Sequence, residues 1–309
     1  MLIYDENGHG TAVVSKCCGN TLGSADAVMI VLEGVTSSGT AFRQALDWIR
    51  DRPWIDLVSI SYGDFWGVGP PPMLGELAPD MFRGGPEAGT RSIRESGRPV
   101  FVGAGNGQSQ GGQFNVFSSF SGPPWMFRVG FGGASGDAAV GPTVPSEVLG
   151  MGATQSIPSA RTVAQYEERD GGTSLATTRV AGHAADLVGR ARDVLGNPSE
   201  GCGCLAQGPA GLVSSGPLAD GVLTADELLR AMMVTAIPLR PWTDARHGDT
   251  YVSFHPLEFT TYGLVNETST ARAWLVLSGQ EPEPDRSRDD TFYDAYMRVR
   301  HAYWDRQVP

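Results

Sequence analysis

Two kinds of apolar pattern alternate along the first half of the chain. Residues 27–32 (AVMIVL) are apolar without interruption, as expected of a strand buried on both faces. Residues 40–50 (TAFRQALDWIR) instead place Ala41, Phe42, Ala45, Leu46 and Ile49 on one helical face. The strand pattern returns at 55–63 (IDLVSISYG) and 99–107 (PVFVGAGNG), each running into glycine, with a Pro/Gly-rich loop and a short helix over 90–96 between them. Shorter extended stretches follow at 127–129 and 147–151. Strand, helix, strand in this order predicts an α/β fold, a three-layer sandwich whose central sheet is mostly parallel and flanked by helices.

The second half is more helical. Residues 171–196 predict a long helix with small residues on its buried side, Thr173 and Ser174 at cap positions and Gly196 at the stop. Residues 223–236 predict another, opened by the Thr224–Glu227 capping box. The stretch between them, 197–221, is expected to be a loop or insertion. A charged linker at 281–290 (EPEPDRSRDD) then separates a main domain, 1–279, from a tail in which Phe292, Tyr296, Val299 and Tyr303 share one helical face. That helix is expected to dock on its own domain.

Composition narrows the functions. The 309 residues are 41% apolar and 18% charged, enough to form a substantial core, while 41 Gly and 21 Pro imply many loops. A net charge of −11 with a single lysine, Lys16, argues against nucleic acid as a partner, because that surface needs clustered cations. No apolar run approaches the roughly 20 residues of a membrane span, and no signal peptide opens the chain. The cysteines lie in two tight pairs, Cys17 with Cys18 and Cys202 with Cys204, and neither has the C-x-x-C spacing of a zinc site. They are read as thiols or disulfides without a catalytic role, and the pairing is left open.

Three short stretches carry side chains suited to acyl transfer. NGHGT contains His9, a base flanked by glycines at the start of a helix; VGAGNG contains Asn106 after a strand; GTSLAT contains Ser174 at a helix N-terminus. A serine there is a nucleophile whose developing charge the helix dipole and free backbone N–H groups stabilise. Histidine can take its proton and return it to the leaving amine. An asparagine amide can donate to the oxyanion of the tetrahedral intermediate. Each stretch alone is weak evidence, but together they fill different roles in one reaction.

At this point the chain resembles the subtilisin-like serine proteases. NGHGTAV is similar to their histidine motif, SISYG to their substrate-binding strand, VGAGNG to their oxyanion motif and GTSLATTRVAG to their nucleophile motif. TTYGLVNETSTA, 260–271, is similar to their closing strand, so the resemblance spans about residues 5–272. It implies a subtilisin-like sandwich and a serine endopeptidase that acts on peptide or protein substrates, with His9, Asn106 and Ser174 in the roles above. It also implies that peptide adds as a strand between 59–63 and 101–104, touching Ser59, Ser61, Tyr62, Gly63, Gly103, Ala104 and Gly105, with the small residues leaving room for a side chain. No cofactor is required; the family often binds structural calcium, but no ligand spacing for it is readable here. The resemblance implies secretion, and oligomeric state is not readable.

The chain departs from the family in two places. Thr178 and Arg179 stand where Pro-His is usual, which concerns helix packing. More seriously, the family's acid precedes its histidine by about thirty residues on an early strand, and only Asp5 and Glu6 precede His9 here. The expectation is that the acid-bearing first strand is encoded upstream of Met1. The chain by itself is then a weak or inactive protease. The alternative is a catalytically dead subtilase fold that binds peptides.

Overall fold

The computed structural model describes residues 8–18, 28–32, 39–61, 86–104, 123–132, 146–152, 155–158, 166–169, 172–238, 242–243, 250–251 and 262–305. Its centre is a five-stranded, wholly parallel sheet of β1 (Val58–Ile60), β2 (Val100–Gly103), β3 (Phe127–Gly132), β4 (Val148–Met151) and a last strand, Leu264–Val265, side by side in chain order. Parallel neighbours need crossovers, and helices supply them on both faces.

Strand alternation assigns the faces. Val58, Ile60, Val100 and Val102 point to one side, where they pack with Phe42, Leu46 and Ile49 of α2 (Gly39–Arg50) and Ile93 of α3 (Pro86–Glu95). Phe101, Phe127, Val129 and Val148 belong to the other side, under Ala176, Val180, Ala184 and Leu187 of α4 (Thr173–Leu195). This second core also takes in α5 (Ala225–Thr235) and α6 (Glu267–Leu277). α1 (His9–Cys18) rests on α4, with Ala12 against Leu175. Helix, sheet and helix therefore form the expected three layers.

Glycines let α4 lie close to the sheet. A Cβ on Gly150 would stand 2.4 Å from the Ala176 carbonyl oxygen, and one on Gly152 would stand 2.6 Å from that of Gly172. Only glycine fits beneath backbone that near. The helix ends as predicted, with Gly196 at φ 111° and its N–H donating to Arg192 O at 2.8 Å.

Several expectations need correction. Residues 28–32 pair with no described strand, and Val28 is 96% and Val31 57% exposed. β1 consequently has one partner, β2, among the described residues. The 197–221 stretch is more ordered than a loop: Ala206–Gln207 pairs antiparallel with Val222–Leu223, a 3₁₀ turn spans Pro217–Asp220, and Leu205 and Leu218 are buried. A hairpin of Gln155–Pro158 with Tyr166–Arg169 was not foreseen, and α6 follows the closing strand directly, capped by Asn266 and Ser269.

The tail is a helix, α7 (Ser287–Trp304), and it lies on the main domain. Its buried face differs from the predicted one: Tyr296, Arg300 and Trp304 are buried, while Phe292 and Val299 are 40% and 51% exposed. The buried polar surface at the starts of β3 and β4 decides this, since Arg300 meets Glu147 and Tyr296 meets Arg128 there. The preceding linker is pinned too. Arg286 donates to the Ala236 and Tyr262 carbonyls, and Arg230 forks onto Asp290 and Glu283.

Candidate active site

Ser174 lies where an open parallel sheet usually binds its ligand, at the carboxyl ends of the strands. The ends of β1, β2 and β4 converge there on the first turn of α4, held by Gly172 N–H to Gly152 O at 3.0 Å. The helix N-cap is Gly172, in extended backbone and without a side-chain cap, so Thr173 and Ser174 are the first two helical residues rather than caps. The first intrahelical bond is Ala176 N–H to Gly172 O, so the Ser174 N–H precedes it, in the turn where the dipole favours negative charge. Ser174 itself is half-buried.

Its hydroxyl donates to the Ser61 carbonyl at 3.4 Å, and in return the Ser61 hydroxyl donates to the Ser174 carbonyl at 2.7 Å. Strand alternation explains the meeting. With Val58 and Ile60 turned toward α2 and α3, Ser59 and Ser61 must face α4. Sequence reasoning missed this contact, although the period-two pattern of VSIS was its visible signal.

His9 is the first residue of α1 and is exposed. Ala12, one turn on and on the same helical face, packs on Leu175, the residue after Ser174. Packing of α1 on α4 thus brings the histidine's turn toward the serine's. Further along the same interface Lys16 is fully buried, and burial together with the nearby Arg179 charge lowers its pKa to about 8. His183 of α4 is a packed residue: it is 2% exposed, and burial, reinforced by Arg179 and opposed by Glu267, lowers its pKa to about 4. Arg179, at the family's Pro-His position, pairs with Glu267 and ties α4 to α6.

Asn106, Tyr62, Gly63 and Gly105 lie outside the described residues. The remaining expected substrate contacts are altered. β1 and β2 pair directly, Val58 with Val100, Ser59 with Phe101 and Ile60 with Val102, so no peptide strand can enter between them at those positions. The Ser59 hydroxyl is buried beneath α4 and Ala104 is buried completely. Gly103 is small for the helix rather than for a ligand, since a Cβ there would stand 3.2 Å from Thr173 Oγ1.

Against solved structures, the chain is similar to the prenylagaramide maturation protease PagA, at 15% identity and a TM-score of 0.53, over 88% of this chain and 83% of that one. The chain has a subtilisin-like fold. A lanthipeptide protease is similar at 15% identity and a TM-score of 0.50, over 90% of this chain and 77% of the other. A cold-adapted subtilisin-like serine proteinase matches at 19% identity and a TM-score of 0.45, over 60% and 63% of the two chains. No family model and no curated protein matches the sequence. In the subtilisin-like frame, the serine-bearing helix, the histidine-bearing helix packed on it and the parallel strand ends form one corner of the molecule. No helix among the described residues is long and apolar enough to cross a membrane.

Proposed function

We propose that the protein is a serine endopeptidase that cleaves peptide bonds through an acyl-enzyme on Ser174. The observation that carries this reading is the placement of Ser174 in the first turn of α4 at the strand ends, with α1 packed alongside through Ala12 and Leu175. In the proposed reaction Ser174 Oγ attacks the scissile carbonyl while His9 takes its proton, and His9 then protonates the leaving amine. The oxyanion is held by the Ser174 N–H and by the Asn106 amide. All groups in this chemistry are side chains and backbone, so the reaction calls for no cofactor. The substrate is an extended peptide or protein segment lying beyond β1 and β2, and the family resemblance supports a secreted enzyme.

The acid that orients His9 is assigned, within this proposal, to an extended segment along the edge of β1 that faces away from β2. The support is that β1 pairs only with β2 among the described residues, and that the apolar residues Val28 and Val31 are exposed. Without such an acid, kcat falls by about 10⁴ while oxyanion stabilisation and binding persist. Peptide binding without cleavage is the second reading, and one observation favours it: the Ser174 hydroxyl is turned to the Ser61 carbonyl. Catalytic hydrogen bonds in unliganded sites are often long, however, and tighten only with substrate.

A serine-directed phosphonate tests the proposal. The folded protein should be labelled at Ser174, Ser174→Ala should abolish labelling, and His9→Ala should slow it sharply. A folded chain that stays unlabelled, while still binding peptides, favours the second reading.

A further inference from the structure

We propose that Ser61 is a positioning residue that fixes the backbone of the nucleophile and leaves its hydroxyl free to turn. This rests on the assignment of Ser174 as nucleophile and adds a role that its motif does not contain. The two serines are 113 residues apart and exchange two contacts of unequal strength. At 2.7 Å, Ser61 Oγ to Ser174 O is near the best distance for a hydroxyl donor, whereas Ser174 Oγ to Ser61 O at 3.4 Å is beyond the usual range. The backbone of Ser174 is therefore held and its side chain is not.

The anchor matters because it adds a side-chain tie from this turn to β1, beside the backbone bond of Gly172 N–H to Gly152 O. Gly172 gives no side-chain cap, and the other hydroxyl on the Ser174 carbonyl, Thr178 Oγ1, is 3.3 Å away. Thr177 and Thr178 bond back into their own helix, to Thr173 O and Leu175 O, and so tie the turn to itself rather than to the sheet. Ser61 ties the turn to β1, a strand whose residues 58–60 are locked in register with β2. In-line attack tolerates little error, and a displacement of about 1 Å can cost on the order of 10²-fold in rate. The Ser61 hydroxyl takes no part in the proton transfer of this scheme; it acts through the Ser174 carbonyl.

The test compares wild type, Ser61→Ala and Ser61→Thr for the rate of phosphonate labelling at Ser174 and for kcat and KM on a peptide ester. Ser61→Ala should lower labelling and kcat by about 10- to 100-fold, with KM within about twofold and the pH midpoint unchanged, since the base is untouched. Ser61→Thr keeps the hydroxyl and should recover to within a few-fold of wild type. If Ser61→Ala folds poorly, Ser61→Cys, similar in size and a weaker donor, should fall between the other two. Wild type labelled at Ser174 with Ser61→Ala labelled equally fast overturns the positioning role alone. A wild type that is never labelled overturns the nucleophile assignment, and the positioning role with it. A change confined to KM would make Ser61 a substrate contact instead.

Discussion

Arg300 of the C-terminal helix donates to Glu147 Oε1 at 2.5 Å, joining residues 153 positions apart in a site closed to water. The same carboxylate accepts the Arg128 backbone N–H at 2.7 Å, and Arg128 Nη2 reaches the Tyr296 hydroxyl. Two buried guanidinium groups thus share one buried carboxylate. Burial, and next the Arg300 charge, hold the Arg128 pKa below its ordinary value, while Glu147 opposes them. The two ends of this network should not be equivalent. Glu147→Gln leaves two buried cations uncompensated and should cost about 3–5 kcal/mol, as breaking buried pairs does. Arg300→Met leaves Arg128 and Glu147 as a neutral pair and should cost less. Urea midpoints of the two variants check the order; equal losses would mean that packing of α7, not charge, governs the site.

Two glycines touching or lying on α4 should respond in opposite ways to the same methyl group. Gly150→Ala directs a Cβ at the Ala176 carbonyl, 2.4 Å away, and backbone there cannot yield without moving the helix. A loss of several kcal/mol, with lower activity because Ser174 moves too, is expected. Gly189 sits inside the helix on an exposed turn, and a Cβ there meets nothing within 4 Å. Gly189→Ala should stabilise the protein by about 0.5–1 kcal/mol through helix propensity. Thermal melts of both variants decide the matter.

What could be read in advance follows from the range of the interactions. α4 with its Gly196 stop and α5 with its Thr224–Glu227 capping box were legible because caps and helical faces are set within a few residues. Val58 and Val100 were legible as strand residues for the same reason. Residues 28–32 were misread: their pattern states what they could bury, while pairing depends on a neighbour that local sequence does not name. The tail helix failed similarly. Apolar spacing pointed to Phe292 and Val299, but the docking face is set by Arg300 meeting Glu147 far away in the chain. At the site, Ser174 and His9 were visible as motifs, whereas the burial of Ser59 and the crowding of Gly103 by Thr173 depend on how close α4 approaches.

Acid should destabilise the fold through His183. Its pKa falls from an ordinary 6.5 to about 4, so between these values the unfolded chain binds a proton that the folded one refuses. The contribution is fully present above 6.5 and is lost as pH falls toward 4. A group this buried can account for up to about 3 kcal/mol. Stability curves from pH 4 to 7 should therefore flatten in His183→Gln. Lys16 extends the same trend to alkaline pH: with a pKa of about 8 against 10.5 unfolded, it is most costly to bury below 8 and ceases to be as pH rises toward 10.5. Wild-type stability should rise across that window and Lys16→Met should lose the rise.

Asn106 should matter only once charge has formed. In the sequence it stands three residues after Gly103, the last residue of β2. If its amide donates to the oxyanion, the contact is weak in the bound peptide, whose carbonyl is neutral, and strong in the tetrahedral intermediate. An interaction of that kind changes kcat and leaves KM nearly alone. Asn106→Ala should lower kcat on a peptide ester by about 10²–10³-fold. Combined with Ser174→Ala it should add almost nothing, because without the nucleophile no oxyanion is made by this route. Asn106→Asp, which sets a carboxylate where negative charge develops, should be slower than Asn106→Ala above the pKa of the new acid and should recover partly as pH falls below it. Steady-state kinetics across pH on the three variants separates this role from a structural one, which would raise KM or lower the melting temperature in all of them alike.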